Sequence, residues 1–463
     1  MLGSMSMNKQ KINNEAIYDA RKLGKGKMVV LGLQHMFAMF GATVVVPLIT
    51  GLSVSSTLLF AGLGTLLFHL VTKGKVPAFL GSSFAFLAGY ATIAPKGEAN
   101  LLPYACFGVA CASVLYFILS ALFKAFGAHR VMKFFPPIVT GPIIIAIGLT
   151  LAPSAINNCE SSGDNAGLSW IVAIVAIAII IICNIFGKGM IKIIPIICGV
   201  LGSYVVAVCL GLVDFTSVAK ADWIGLPFTY DQTVFSVFTG DTDWGLITTS
   251  IITIVPIALA TMVEHIGDIS AISSTIGKNC IADPGLHRTL LGDGAATLLA
   301  ALFGAPANTT YGENTGVLNL TKVFDSRVIR IAAFFAILFS FSPKFAAIVT
   351  SIPSATVGGV SLVLYGMISS VGVRNIVENK IDFTSMRNVL IMAIILVLAL
   401  GITFSTAGNI SFTIGSVTIQ LSGLAVGSLV GIILNAIIPG NDYKFQTDED
   451  LGANEIQKDT REM

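Results

Sequence analysis

Residues 76–86 read "VPAFLGSSFAF" and residues 305–314 read "APANTTYGEN". Both stretches turn on the same pair, Pro77-Ala78 and Pro306-Ala307. Each then runs to a hydroxyl pair and an aromatic, Ser82-Ser83-Phe84 and Thr309-Thr310-Tyr311. Both sit inside apolar sequence, where a proline opens the helical hydrogen-bond ladder and pushes the residue before it into extended backbone. Backbone N–H and C=O groups cannot stay unpaired in hydrocarbon, so chain broken at that depth must be buried in protein or line a cavity. The plain alternative is a pair of proline kinks in structural helices, but a kink needs no Glu313-Asn314 beside it.

The surrounding composition says why depth is the issue. The 463 residues are 54% hydrophobic and only 11% charged, with a mean hydropathy of +0.85. Soluble domains carry about a quarter charged residues. Apolar runs of roughly 17–25 residues, enough to cross about 30 Å of hydrocarbon as helix, recur along the chain. The reading is an all-α polytopic membrane protein with fourteen transmembrane segments. The acid-rich outer connection 214–243 divides them into seven and seven. With the N-terminus inside, every Lys and Arg except Lys96, Lys220 and Lys344 falls on inner connections or tails, as the positive-inside rule requires. Both termini are therefore expected in the cytoplasm. Seven segments per half is an odd number, so the halves run in opposite senses: an inverted repeat, a plan common among secondary transporters. The two Pro-Ala breaks then fall in corresponding places, segments 3 and 10.

Other classes are disfavoured. The polar stretch before the first apolar run is too long for a cleavable signal peptide. A net charge of +2 with scattered basic residues suggests no nucleic-acid partner. The seven cysteines form no metal-ligand pattern, and apolar packing is expected of them rather than metal or disulfide.

A carboxylate in the bilayer costs about 3 kcal/mol or more, so the few embedded ionisable residues are the candidates for function. In "TIVPIALATMVEHIGDISAISSTIG" Glu264 and Asp268 stand four apart, on one helical face. His265 is turned away from them. Glu313 follows the second break, and Gln34 and His35 sit among apolar neighbours in segment 1. Asp293 reads equally as structural or as accessible from the cytoplasm, and His69 as interfacial. Two carboxylates beside half-helix N–H groups suit a small planar molecule that offers N–H donors to the acids and carbonyls to the amides. An anion would call for Arg or Lys at the breaks. One carboxyl is also a candidate to carry a proton across. Gly292-Asp293-Gly294 is a weak match to an intramembrane aspartyl protease, without a suitably placed second Asp.

Several motifs in order carry a resemblance: "LQHMFAMFGATVVVP" (33–47), "GKVPAFLGSSFAFL" (74–87), "VEHIGD" (263–268), "DPGLHR" (283–288), "NTTYGENTGV" (308–317) and "GGVSLVLYG" (358–366). Over essentially all of 28–440 the chain resembles the nucleobase–ascorbate transporter family. The resemblance implies a core domain from 28–124 and 244–343 and a gate domain from 131–213 and 353–438. Cytoplasmic tails, 1–27 and 439–463, flank them. Segments 3 and 10 would carry short antiparallel strands, and two copies would associate as a homodimer through the gate in the bacterial cytoplasmic (inner) membrane, surrounded by lipid. Glu264 and Glu313 resemble the carboxylates that accept the N–H groups of the substrate, and the amides of Phe84 and Gly312 the donors to its carbonyls. Ala42, Tyr311 and Tyr365 resemble residues that wall the ring, and His35 the histidine that supports the site. Glu313 in the family signature implies uracil as substrate, taken up by symport with a proton and with no other cofactor. Asp268, a further candidate for proton coupling with Glu264 and His35, stands where uracil-carrying members have histidine and purine-carrying members aspartate. That keeps a xanthine or purine symporter as the alternative. An anion exchanger or channel with the same architecture is a more distant one.

Overall fold

The computed structural model describes residues 16–160, 166–239, 242–414 and 417–440. The outer parts of both tails, 1–15 and 441–463, lie outside the described residues. The chain opens with α1 (Lys25–Thr50) and α2 (Val54–Val71), then strand β1 (Leu80–Ser82) and the short helix α3 (Leu87–Ile93). Next come α4 (Leu102–Phe126), α5 (Pro137–Cys159), α6 (Ala166–Phe186) and α7 (Pro195–Cys209). After a long connection follow α8 (Trp244–Ile254), α9 (Ala258–Ile276), α10 (Leu286–Leu302), strand β2 (Asn308–Thr310) and α11 (Glu313–Thr321). The chain continues through α12 (Ser326–Ser340), α13 (Pro343–Thr350), α14 (Ser354–Glu378) and α15 (Met386–Thr403). It closes with a hairpin, β3 (Asn409–Ile414) and β4 (Val417–Ser422), and α16 (Gly423–Ile437).

Local chemistry sets these limits. Ser53, Asp243, Asp325, Ser342 and Ser422 cap helix starts, each accepting a backbone N–H from two or three residues on, which satisfies donors a helix end otherwise leaves open. α1 ends where Gly51 takes φ 81° and donates to Pro47 O at 2.9 Å. α8 and α9 form one apolar run interrupted by a tight turn at Val255–Ile257, where Pro256 lacks the donor that would continue the ladder.

Among the described residues eight helices are long and apolar enough to cross a membrane, with α8 and α9 taken as one. The number is nine when α12 and α13, bent by 90°, are counted together. α7 and α16 are shorter apolar helices. Two features were not legible beforehand. One is α13, at whose start the connection after α7 docks, through Gly225 N–H to Phe341 O (3.0 Å) at the end of α12 and Lys344 N–H to Asp222 O (2.8 Å). The other is the β3–β4 hairpin, registered Asn409↔Ser422 to Ile414↔Val417. It fills the chain between α15 and the last helix, which begins only at Gly423.

The helices fall into two packing groups. α1, α2, α4, α8, α9, α10 and α12 lie against one another and enclose β1, β2, α3 and α11, while α5, α6, α7, α14, α15 and α16 form the other group. The groups meet where α9 touches α5 and α16, α1 touches α7 and α14, and α8 touches β4. The most intimate pair is α5 with α14. In a membrane such closeness comes from small residues that let backbones approach. A Cβ on Gly372 would lie 2.6 Å from Gly141 O, and one on Gly148 would collide with Tyr365 O and Ser369 Oγ.

Replacing Gly372 by valine should therefore destabilise the fold by about 1–3 kcal/mol or more, through overpacking at a helix crossing. Gly366→Ala, on the same helix with nothing within 4 Å of the added Cβ, should leave it unchanged or slightly more stable. Thermal unfolding of the detergent-solubilised variants separates the two outcomes.

Candidate functional site

β1 and β2 are three residues each and wholly buried. They pair antiparallel, Leu80↔Thr310, Gly81↔Thr309 and Ser82↔Asn308. The pairing extends one residue at each end, with Tyr311 N–H to Phe79 O at 3.0 Å and Ser83 N–H to Ala307 O at 2.8 Å. Two strands satisfy only one edge each, so the outer edges need other partners. α2 brackets β1: the Thr65 hydroxyl accepts Leu80 N–H at 2.9 Å and lies 3.3 Å from Leu80 O. α10 brackets β2: Thr297 Oγ1 donates to Asn308 O at 2.7 Å. The Asn308 side chain in turn donates to Phe60 O at 2.9 Å, and Ser82 Oγ to Thr43 O at 2.9 Å. His69 was read as interfacial. It is instead 3% exposed, with Nε2 2.9 Å from Ala78 O at the start of the β1 stretch.

Around the strand ends the structure gathers most of the singled-out residues. Tyr311 lies across β1 and donates its hydroxyl to Ser82 O at 2.9 Å. Gly81 is what admits that ring, since a Cβ there would come within 2.7 Å of Thr43 Oγ1 and closer still to the Tyr311 ring. Ala42, next to Thr43 on α1, is fully buried. The Phe84 ring meets Tyr365 of α14 edge-on, centroids 5.7 Å apart; both side chains are buried, and the contact joins the two packing groups. His35 Nδ1 stands 2.7 Å from Asn314 Oδ1, which ties α1 to the first turn of α11. Asp268 packs against Gly312, where a Cβ would lie 3.0 Å from its Oδ1. Glu264, one turn earlier on the same face of α9, is half-buried. Glu313 opens α11; its side chain lies outside the described residues. Three buried polar atoms, His35 Nε2, Asn314 Nδ2 and Thr315 Oγ1, have no hydrogen-bond partner among the described residues, so this region retains unused bonding capacity.

His265 faces the other way. Its Nδ1 is 3.1 Å from Thr310 Oγ1 and 3.4 Å from Asp293 Oδ2, and both ionisable side chains are fully buried. Asp293 thus belongs to the packing behind β2, and cytoplasmic access is excluded in this arrangement. The bracketing threonines Thr65 and Thr297 and the amide of Asn308 went unnoticed in the sequence. A lone hydroxyl in an apolar helix carries no signal until its partner backbone is known.

The sequence profile of the Permease family matches residues 26–408. A uracil permease of Bacillus caldolyticus is 40% identical over 418 residues, which span 90% of this chain and 93% of that one. A uracil permease of Bacillus subtilis (strain 168) is 40% identical over 417 residues, 89% of this chain and 92% of that one. Among solved structures, the transmembrane domain of a cyanobacterial bicarbonate transporter, BicA, superposes with a TM-score of 0.62 at 13% identity. That match covers 91% of this chain and 99% of the BicA domain, and speaks for the fold alone.

Thr65→Val should leave the Leu80 N–H unpaired in a buried site, at a cost of about 1–3 kcal/mol. Thr65→Ser keeps the hydroxyl and should recover most of that loss. Comparing the two melting temperatures, with and without bound ligand, checks whether this bracket holds the strands.

Proposed function

The chain belongs to the Permease family, and from that premise we propose that it takes up uracil, by symport with protons, across the bacterial cytoplasmic membrane with both termini inside. It is a transporter rather than an enzyme. The observation that carries the reading is the buried antiparallel pairing of β1 with β2. It brings the start of α11 against α9, where Gly312 lies beside Asp268, and this supports a site in which half-helix amides and the acids of α9 and α11 address one ligand.

The fourteen-segment plan, two inverted sevens, counts the half-broken segments β1–α3 and β2–α11, together with α7, α10 and α16, alongside the long helices. A two-fold relation in the membrane plane is supported by the strand pair and by its brackets. Thr65 on the helix before β1 and Thr297 on the helix before β2 each reach a strand carbonyl. The core and gate division is supported by the two packing groups. The gate helix α15 has only 17% of its apolar stretch buried, a face available to a second copy of the chain and to lipid.

In this reading Glu264 and Glu313 accept the two N–H groups of uracil, and the amides of Phe84 and Gly312 donate to its carbonyls. Ala42, Tyr311 and Tyr365 wall the ring. His35 acts through Asn314, holding the first turn of α11. A proton on Glu264 or Asp268 completes the outward-facing site. The core then shifts against the gate, and loss of the proton inside frees the ligand. Such a cycle needs different affinities in its two states, which the proton supplies. Uracil is neutral, so no basic residue is required at the half-helix starts. The residues there, Ser83-Phe84 and Tyr311-Gly312, suit a neutral heterocycle better than an anion.

Glu313→Gln should weaken uracil binding roughly 100-fold, because a charged acceptor is lost and an amide N–H can face the ligand's own donor. Normal binding of labelled uracil to the folded variant overturns the assignment. In proteoliposomes clamped at zero voltage, accumulation should vanish when the pH is equal on both sides and return with acid outside. Undiminished accumulation at equal pH removes the proton from the mechanism. Competition by unlabelled xanthine at concentrations similar to uracil would move the substrate to the purines.

A further inference from the structure

The residues just before α1 play no part in the reading above, yet they are tied at three points to the helices that carry it. Ile17 bridges to Val323 in parallel: its N–H donates to Lys322 O and its C=O accepts from Phe324 N–H, both at 2.8 Å. Tyr18 donates its hydroxyl to Ile276 O at 2.7 Å, at the last residue of α9. Its ring lies 5.5 Å from that of Phe324, with Lys278 Nζ 4.3 Å from its centroid. Asp19 Oδ1 accepts from Arg327 Nη1 at 2.9 Å, and Asp325 Oδ2 accepts from both Ala20 N–H (2.7 Å) and Arg327 Nη1 (3.1 Å). Ala20 then packs with Val323 and Val328 in a small apolar cluster.

Ile276 O belongs to the last turn of a helix, where carbonyls have no partner within the helix. Lys322 O follows the end of α11, at a residue with φ 55°. α11 is only nine residues long, too short to hold itself in place. Its start is held by β2 and by His35; its end is held by Ile17. α9 is a longer lever. Glu264 lies about 18 Å up its axis from Ile276, so a tilt of about 3° at the inner end moves that carboxylate by about 1 Å.

We propose that Ile17, Tyr18 and Asp19 form a positioning strap that fixes the inner ends of α9 and α11 at the spacing needed for both helices to address one ligand. The proposal rests on the uracil site described above, and none of the three residues touches the substrate. The side-chain hydrogen bond from Arg21, then its backbone N–H and charge, and last the charge of Arg327 hold the Asp19 carboxyl well below the ordinary carboxylate range. Asp19 therefore faces Arg327 as a carboxylate at neutral pH.

The test is the double variant Tyr18→Phe with Asp19→Asn in the full-length protein reconstituted into liposomes. The KM for uracil should rise about three- to tenfold, with kcat changed by less than about twofold. Asp19→Glu in place of Asp19→Asn should bring KM back toward the parent value. In uracil-free protein, hydrogen exchange across 313–324 should quicken about fivefold or more as the anchor at Ile17 loosens. An unchanged KM, a fall in kcat alone, or a KM shift without faster exchange overturns the strap. If the double variant does not fold, Tyr18→Phe alone retains the ring packing on Phe324 and must still raise KM and exchange. Should the parent protein take up no uracil, the substrate reading fails separately, and exchange at 313–324 decides the strap without it.

Discussion

A bilayer offers the backbone no hydrogen-bond partners, and that constraint organises this protein around six residues. β1 and β2 are the non-helical pieces that the Pro77 and Pro306 breaks create, and each is too short to be stable alone. They persist because they satisfy one another, because neighbouring helices supply hydroxyl and imidazole groups to the backbone left over, and because the Asn308 side chain of β2 donates to α2 in return. Helices that look ordinary in composition, α2 and α10, thus have a specific duty. They carry the threonines that make extended chain tolerable in hydrocarbon.

The same arrangement yields chemistry. Where a strand turns into a half-helix, several N–H groups lack intrahelical acceptors and the helix dipole points its positive end inward. α9 lies against that point with Asp268 beside Gly312. An acid thus stands beside a half-helix start, an arrangement that supports the proposed site for a neutral, hydrogen-bonding ring. Behind the strands, His265, Asp293 and Thr310 form a second polar layer that fixes β2 from the far side. One helix therefore serves both layers, through residues 100° apart on its surface.

Much of this was legible in the sequence because its signals are local. The apolar runs, the Pro-Ala repeats and the i, i+4 spacing of Glu264 and Asp268 are readable from neighbours in the chain. His35 was singled out for its unusual surroundings, and its bond to Asn314 gives the physical reason. What escaped depends on partners far along the chain. Thr65 and Leu80 are near one another, but Asn308 finds Phe60, Tyr18 finds Ile276, and Asp19 finds Arg327. His69 was placed at the interface because lysines follow it, whereas the backbone oxygen of Ala78 holds it inside. The β3–β4 hairpin was left between two apolar spans, because its alternating polar residues carry no signal as strong as the runs that flank it.

The contact between Phe84 and Tyr365 has a mechanical meaning. The glycine-lined crossing of α5 and α14 sets backbone against backbone and leaves no room for a Cβ at Gly148 or Gly372. At this point between the two helix groups the structure instead puts two rings edge to edge. Such a contact is apolar and weakly directional, worth only about 0.5–1.5 kcal/mol beyond the area it covers. Ring against ring imposes no hydrogen-bond register across the contact. The two contacts thus differ in kind: the crossing within one group fixes backbone spacing, whereas the ring contact between the groups does not.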